Sequence, residues 1–149
     1  MGADLYLHSV LDPRLEKWQP KFDAAVEKRD GLKEGTPEYK AAQEEVSRCY
    51  NRMYERGYFR DSYNPSCLLW RFGLSWWEHV GDLLDEDCRL TPEKAKQLLK
   101  LMYAQRSQFE ASLDELNEDS RAYFRARDLE FRAFLEGAIR LNASIDCSI

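Results

Sequence analysis

Small polar residues stand directly before proline at four points of this chain, and an apolar pattern with helical spacing follows each pair. A short polar side chain can accept a hydrogen bond from the free N–H groups that open a helix. Proline is tolerated in the first turn, where its missing N–H is not needed. The sequence therefore predicts four helix starts, at Asp12-Pro13, Thr36-Pro37, Asn64-Pro65 and Thr91-Pro92.

The apolar residues after these starts recur at spacings of three and four, which places them on one face of a helix. The first two faces, separated by "DGLKEG", predict an antiparallel helical hairpin over residues 12–57, with Pro20 as a point that kinks or divides the first helix. Residues 91–141 predict two further helices, separated by "NEDS". The two hairpin faces comprise Leu15, Trp18, Phe22, Ala25 and Val26, and Tyr39, Ala42, Val46, Cys49 and Met53.

The segment "ADLYLHSV", residues 3–10, alternates, with Leu5 and Leu7 on one side of the chain and Asp4, Tyr6 and His8 on the other. Alternation with a period of two is typical of a β-strand. Because no later segment offers an obvious partner strand, we predict a short strand or an extended arm that lies on helices. The tail after residue 141 is predicted to be loose.

Together these patterns predict an all-α fold, a single helical bundle-like domain of five or six helices with a short N-terminal strand or extended arm. No internal repeat and no Gly/Ser-rich or Pro-rich linker divides the chain. The predicted domain covers residues 1–149 and consists of the arm (1–11), the hairpin (12–57), an aromatic-rich loop with short helices (58–90) and two C-terminal helices (91–141).

Charge and hydropathy narrow the classes of partner. A net charge of -5 argues against direct binding of nucleic acid and favours a protein partner with a basic surface. The mean hydropathy of -0.67 argues against a membrane protein. The opening "MGADLYLHSV" lacks the basic start and apolar run of a signal peptide. We therefore expect a cytoplasmic protein whose cysteines stay free thiols.

The sequence offers little support for a metal or a cofactor. The four cysteines form no Cys-x-x-Cys pair, and the glycines form no phosphate-binding loop. The acidic segment "DLLDEDCRLTPEK", compared with a calcium loop that starts at Asp85, has Leu90 at that loop's glycine position and no carboxylate at its twelfth position. A site of His8, His79 and a carboxylate is the metal alternative, weighed against a partly buried histidine with a hydrogen-bonded neighbour. We predict no cofactor, no metal and no catalytic residue, and we interpret Cys67 as a core thiol.

The segment "YFRDSYNPSCLLWRFGLSWW", residues 58–77, concentrates aromatic side chains beside two arginines and an aspartate. At helical spacing, Trp70 and Trp77 lie on a different face from Trp76, so apolar residues occupy both faces. One interpretation buries the tryptophans in the core. The other makes Trp70 or Trp77, with Arg71 or Arg60, the anchor of a partner, since Trp and Arg dominate interface hot spots. The two are compatible if each face has one role.

The opening "MGADLYL", together with "YFRDSYN" and the tryptophan that follows, resembles a pattern in small proteins encoded by phages and prophages. Those proteins open Met-Gly-x-Asp-x-Tyr and carry an aromatic-Arg-x-x-(Ala/Tyr)-Asn segment near a tryptophan. The resemblance implies a phage or mobile-element setting and implies no catalytic residue. It also implies that the arm lies beside residues 58–64. The matching residues are Asp4, Tyr6, Phe59, Arg60, Tyr63, Asn64 and Trp70.

Three functions therefore remain open. The leading hypothesis is a non-enzymatic protein-interaction module, a phage or mobile-element accessory protein that binds and inhibits a host protein. The alternatives are an enzyme or small-ligand binder with a pocket around Tyr6, His8, Arg60, Asn64 and His79, and a self-associating helical protein that forms a homo-oligomer. The candidate binding residues are Tyr6, His8, Arg60, Asp61, Tyr63, Asn64, Trp70, Arg71, Trp77 and His79.

Overall fold

A computed structural model describes residues 2–149 of the chain. The described residues form two compact units. One unit runs from His8 to Gly57, and the other joins the residues up to Leu7 with Tyr58–Ile149. We describe each unit by itself, and the single domain expected over residues 1–149 stays a prediction.

The unit from His8 to Gly57 is the predicted helical hairpin. It consists of α1 (His8–Asp30) and α2 (Pro37–Tyr54), which pack along each other. The predicted second start is confirmed, because Thr36 accepts a hydrogen bond from the Tyr39 N–H and Pro37 is the first helical residue. Its small core contains Ala25, Val46 and Cys49, against which Trp18, Phe22 and Val26 pack.

Helix α1 differs from its prediction at two prolines. It begins at His8 rather than at Asp12-Pro13, and it continues through Pro20 without being divided. A proline inside a helix removes one backbone hydrogen bond and costs about 3 kcal/mol relative to alanine. Packing of α1 against α2 offsets this cost. In the first turn of α1, His8 Nδ1 lies 3.0 Å from Asp12 Oδ1, and both side chains are exposed.

The other unit contains an antiparallel sheet, so the all-α prediction is wrong. Its four strands lie in the order β2-β1-β4-β3. The described residues 2–149 are 66% helical, and the fold is helix-rich but mixed α and β. The strands are β1 (Gly2–Tyr6), β2 (Tyr58–Ser62), β3 (Arg89–Leu90) and β4 (Ile145–Ser148).

The predicted N-terminal strand is present, but it is a central strand rather than an isolated arm. Asp4 of β1 lies opposite Arg60 of β2 on one side and Ser148 of β4 on the other. The prediction of a loose tail after residue 141 is therefore wrong for β4, because Ile145 and Cys147 of this strand are buried. The partner strands were missed because they are two to five residues long and lie far from β1 in the sequence.

Helices fill the rest of this unit. The predicted start at Thr91-Pro92 is confirmed, because Thr91 accepts a hydrogen bond from the Lys94 N–H. Residues 91–141 hold three helices rather than two, since Gln105, with φ of -100° and ψ of 15°, interrupts the helix between α4 and α5. No helix among residues 2–149 is long and apolar enough to cross a bilayer. The elements are α3 (Leu68–Arg71), a π-helical turn (Trp76–Val80), a 3-10 turn (Gly81–Leu83), α4 (Pro92–Ala104), α5 (Arg106–Leu113) and α6 (Glu118–Arg140).

The core of this unit lies between the sheet and α6. The ring of Phe59 on β2 stacks on that of Phe131 on α6, with ring centroids 4.5 Å apart. The centroid of the Trp76 ring lies 5.7 Å from that of Phe131. The rings of Phe72 and Phe109 also stack, with centroids 4.4 Å apart. These contacts join the aromatic segment 58–77 to the helices behind it.

The burial of β4 generates a prediction about stability. Replacing the fully buried side chain in Ile145→Ala leaves a cavity and should lower the free energy of unfolding by about 2–5 kcal/mol. The control Ser148→Ala changes an exposed side chain of the same strand and should stay within about 0.5 kcal/mol of the wild type. Urea unfolding followed by circular dichroism measures both. Equal stabilities for the two variants would contradict a packed C-terminal strand.

Candidate functional site

Strand β2 divides the candidate residues between two environments. Because side chains alternate along a strand, Tyr58 and Arg60 lie on the more exposed side, while Phe59 and Asp61 are buried. The candidate residue Asp61 therefore faces the core.

The Asp61 carboxylate holds the local structure together. It accepts hydrogen bonds from the backbone N–H of Leu68 at 2.9 Å, from that of Leu69 at 3.3 Å and from the indole Nε1 of Trp76 at 2.9 Å. The first two bonds fix the start of α3, and the third fixes the π-helical turn. The structure thus gives Asp61 a positioning role inside the protein rather than a contact surface for a partner.

Gly73 reverses the chain between these two elements. Its N–H donates to the Trp70 carbonyl at 2.9 Å, and the N–H of Leu74 donates to the Leu69 carbonyl at 3.0 Å. This pattern is a Schellman motif, and it needs a residue with positive φ, which glycine adopts without strain. Gly73 has φ of 70°. Gly73 therefore ends α3 and separates it from the π-helical turn.

Ser75 and His79 fix the π-helical turn that carries Trp77. The Ser75 hydroxyl oxygen accepts from the N–H groups of Trp77 and Glu78, at 3.2 and 3.4 Å. The Ser75 N–H donates to His79 Nδ1 at 2.9 Å. A backbone N–H can only donate, so Nδ1 of His79 carries no proton in this arrangement. The candidate residue His79 therefore has a positioning role for the turn.

Four aromatic side chains line a small hollow on this unit. Trp70 is 48% exposed and Trp77 is 62% exposed, whereas Trp76 is buried beneath them. The rings of Tyr63 and Trp77 lie 5.2 Å apart, and their planes meet at 47°. We call this feature the aromatic hollow; its volume is about 70 Å³, and it is lined by Tyr63, Cys67, Trp70, Leu74, Ser75, Trp76 and Trp77.

Strands β1 and β2 present a polar sheet face, formed by Asp4, Tyr6, Tyr58 and Arg60. The Tyr58 hydroxyl donates to Asp4, and the rings of Tyr6 and Tyr58 are 5.3 Å apart. Arg60 Nε lies 3.6 Å from the same Asp4 carboxylate. The arm thus lies against residues 58–62, as the resemblance implied for the neighbourhood of residues 58–64.

Electrostatics connect the polar sheet face to the aromatic hollow. Burial raises the pKa of Tyr63, and the negative charge of Asp4 adds to this rise. Burial, with the hydrogen bond to Asp4, also raises the pKa of Tyr58. Asp4 therefore lies within electrostatic reach of both tyrosines, one on the sheet face and one on the wall of the hollow.

The structure does not gather all ten candidate residues into one site. Arg71 is buried, where its Nη1 donates to the Ser112 carbonyl at 3.1 Å and to Glu115 at 3.0 Å. Its guanidinium also lies 4.9 Å from the Phe124 ring, so it joins α3 to the helices behind it. His8 belongs to the hairpin unit, where it pairs with Asp12.

Asn64 does not start a helix, contrary to the prediction from Asn64-Pro65. Its side-chain oxygen accepts from the Ser66 N–H and from the Ser62 hydroxyl, both at 3.0 Å, and so forms a local turn. Helix α3 begins only at Leu68, where Cys67 Sγ accepts from the Trp70 N–H at 3.3 Å. Cys67 is buried, which agrees with its interpretation as a core thiol.

A second cleft, which the sequence did not suggest, opens between α4, α5 and α6. Asp128 is 4% exposed and accepts from Arg106 Nη1 at 2.7 Å and from Arg132 Nη2 at 3.1 Å. Two guanidinium groups therefore share one buried carboxylate, which leaves Asp128 poorly suited to act as a base. The cleft has a volume of about 340 Å³ and is lined by Tyr103, Arg106, Phe109, Glu110, Arg125, Asp128, Leu129 and Arg132.

No cluster of three or more His, Cys, Asp or Glu side chains within residues 2–149 is arranged to hold a metal ion. Comparison of the chain with protein-family models, with curated proteins and with solved structures finds no match.

Sequence reasoning found the exposed tryptophans but missed Tyr58. The alternation of "YFRDS" was the available signal: a strand over these residues puts Tyr58 beside Arg60 and puts Asp61 inside. No sequence signal pairs Asp61 with Trp76, because the two are fifteen residues apart and meet only through the tertiary fold.

We expect Asp61→Asn to destabilise the protein by about 2–4 kcal/mol, because the amide cannot accept all of the N–H groups that the carboxylate accepts. The exposed Asp82→Asn is the matched control and should change stability by less than about 0.5 kcal/mol. Chemical unfolding followed by tryptophan fluorescence measures both variants. A wild-type stability for Asp61→Asn would show that these hydrogen bonds do not hold α3 and the turn.

The four free cysteines should differ in reactivity towards the thiol reagent DTNB. Cys88 is exposed, whereas Cys49, Cys67 and Cys147 are buried. Burial raises the pKa of Cys147 to about 12, so little of its reactive thiolate forms near neutral pH. One thiol should react rapidly in the native protein, and all four after unfolding. Cys88→Ser should remove the rapid phase, and a rapid phase that persists would contradict the burial of the other three.

Proposed function

We propose that the protein is a non-enzymatic protein-interaction module whose aromatic hollow and polar sheet face bind another protein. As part of the same proposal, it is a phage or mobile-element accessory protein that acts in the cytoplasm and inhibits its host partner. The residues that we expect to carry binding are Tyr6, Arg60, Tyr63, Trp70 and Trp77.

The exposure of two tryptophans on a rigid support carries this proposal. A tryptophan side chain contributes a large apolar area, and leaving it in water forgoes the stabilisation that burial provides. Trp77 is 62% exposed although its backbone is fixed by Ser75. A rigid aromatic surface loses little conformational entropy when a partner covers it, which favours tight binding.

The composition of the surface supports a protein partner. Tyr, Trp and Arg are the residue types that contribute most to interface hot spots. Here the exposed Arg60 lies on the sheet face, and Tyr63, whose ring contacts Trp77, lies within electrostatic reach of Asp4 on that face. The hollow would receive one side chain of the partner, while the sheet face would contact the surrounding residues.

The size of the hollow favours this function over an enzyme or a small-ligand binder. Pockets for drug-sized ligands have volumes of about 300–1,000 Å³. The aromatic hollow, at about 70 Å³, has room for the end of one side chain. The residues expected to form a ligand pocket do not line it, and one of them, His79, accepts a hydrogen bond from the Ser75 backbone N–H.

The exposed tryptophans also give the self-association alternative an observation in its favour, because two copies could pair these faces across a two-fold axis. Sedimentation velocity of the wild type and of Trp77→Ala separates the two functions. A monomeric wild type supports binding of a different protein. A dimer that dissociates on Trp77→Ala would replace our proposal with self-association.

A host partner should be captured by cross-linking in lysate, identified by mass spectrometry, purified and titrated by calorimetry. We expect Trp77→Ala to weaken binding at least about 30-fold, as for a hot-spot residue, and Arg60→Ala to weaken it as well. Tyr123→Ala is the control, because Tyr123 is a similarly exposed aromatic side chain outside the proposed surface. Equal affinities of wild type and Trp77→Ala would contradict the proposed surface.

A further inference from the structure

We propose that the aromatic hollow binds an ammonium group, namely that of a lysine side chain on the partner protein. This inference rests on the proposed function and names the partner residue that enters the hollow. It follows from the arrangement of the rings, the charges around them and the size of the space.

The rings form the sides of a compact space. Tyr63 and Trp77 meet at 47° with centroids 5.2 Å apart, and Trp70 also lines the hollow. The face of an aromatic ring carries partial negative charge, so it attracts a cation placed within about 6 Å of its centroid. Sites that enclose ammonium groups with several aromatic rings use this attraction from more than one side.

A buried carboxylate lies behind the floor of the hollow. Asp61 bonds to Nε1 of Trp76, and Trp76 is one of the lining residues. The hydrogen-bond donors to Asp61 are neutral N–H groups, so these bonds do not neutralise its charge. Its field reaches the lining: burial raises the pKa of the Cys67 thiol, and the Asp61 charge adds to that rise.

The cation already near the hollow does not compete strongly. The guanidinium of Arg71 lies 5.4 Å from the Trp70 ring centroid, but it also pairs with Glu115 at 3.0 Å. The carboxylate of Glu115 offsets the positive charge of Arg71. A carboxylate thus accompanies the cation beside Trp70, whereas the hydrogen bonds to Asp61 come from neutral groups.

Shape and charge favour lysine over the other occupants. An arginine guanidinium is planar and stacks on a single flat ring face, whereas rings that meet at an angle enclose a compact ammonium. An apolar side chain would gain from burial but nothing from Asp61. The net charge of -5 also attracts a partner with a basic surface at long range.

Small probes test this inference without the partner. The probes are N-acetyl-lysine amide, its trimethylated form, and the neutral isostere of the trimethylated form in which carbon replaces the charged nitrogen. Titrations of nitrogen-15-labelled protein follow the indole N–H signals of Trp70 and Trp77, with Trp18 of the hairpin unit as the internal reference. The trimethylated probe should shift the Trp70 and Trp77 signals and bind at least about fivefold more tightly than its neutral isostere.

Two variants make the result specific to the hollow. Trp77→Ala should abolish the preference for the charged probe, whereas Tyr123→Ala should retain it. Because Trp77 is exposed, its replacement should leave the fold intact, and circular dichroism checks this. Equal affinities for the charged and neutral probes, or shifts at Trp18 as large as those at Trp77, would overturn the ammonium inference.

The two proposals fail separately. If the neutral isostere binds as tightly as the charged probe while Trp77→Ala still weakens the purified partner, the hollow takes an apolar anchor and only the ammonium inference fails. If the charged probe binds preferentially while Trp77→Ala leaves partner binding unchanged, the hollow binds ammonium groups but the proposed protein-binding surface is wrong.

Discussion

The buried carboxylate of Asp61 is the interaction on which the organisation of the candidate site depends. It projects from the core side of β2 and accepts hydrogen bonds from the start of α3 and from the indole of Trp76. A buried charge is costly unless its hydrogen-bonding capacity is used, so the surrounding N–H groups must stay in place. One side chain thus ties a strand, a helix and a π-helical turn into a fixed arrangement that leaves Trp70 and Trp77 at the surface.

This arrangement explains how exposed aromatic side chains remain ordered. The Schellman motif at Gly73 reverses the chain, and Ser75 with His79 fixes the backbone of the π-helical turn. π-Helical turns are rare and occur frequently at functional sites. Here the turn presents Trp77 to solvent while its neighbour Trp76 packs on Phe131. The same few residues therefore supply both core and surface, so the two interpretations of the aromatic segment each hold for part of it.

The sequence predicted features that depend on neighbouring residues. Thr36 and Thr91 begin helices because the capping side chain and the N–H that it satisfies are three residues apart. The same logic failed at Asn64, whose side chain instead closes a local turn with Ser66. It failed at Asp12-Pro13 because α1 extends back to His8. A capping signal is therefore a local preference, which another local bond or the packing of a longer helix can override.

Periodicity and residue type were enough to predict the helical hairpin and a helix-rich chain, and to make Trp70 and Trp77 candidates for a surface role. The sequence pattern did not reveal that β1 is an inner strand, that Asp61 and Arg71 serve the interior, or that Tyr63, Trp70 and Trp77 border one hollow. Each of these depends on contacts between residues far apart in the chain: Leu5 pairs with both Phe59 and Cys147. A pattern of neighbouring residues contains no information on such pairings, because they are selected by the burial of the whole core.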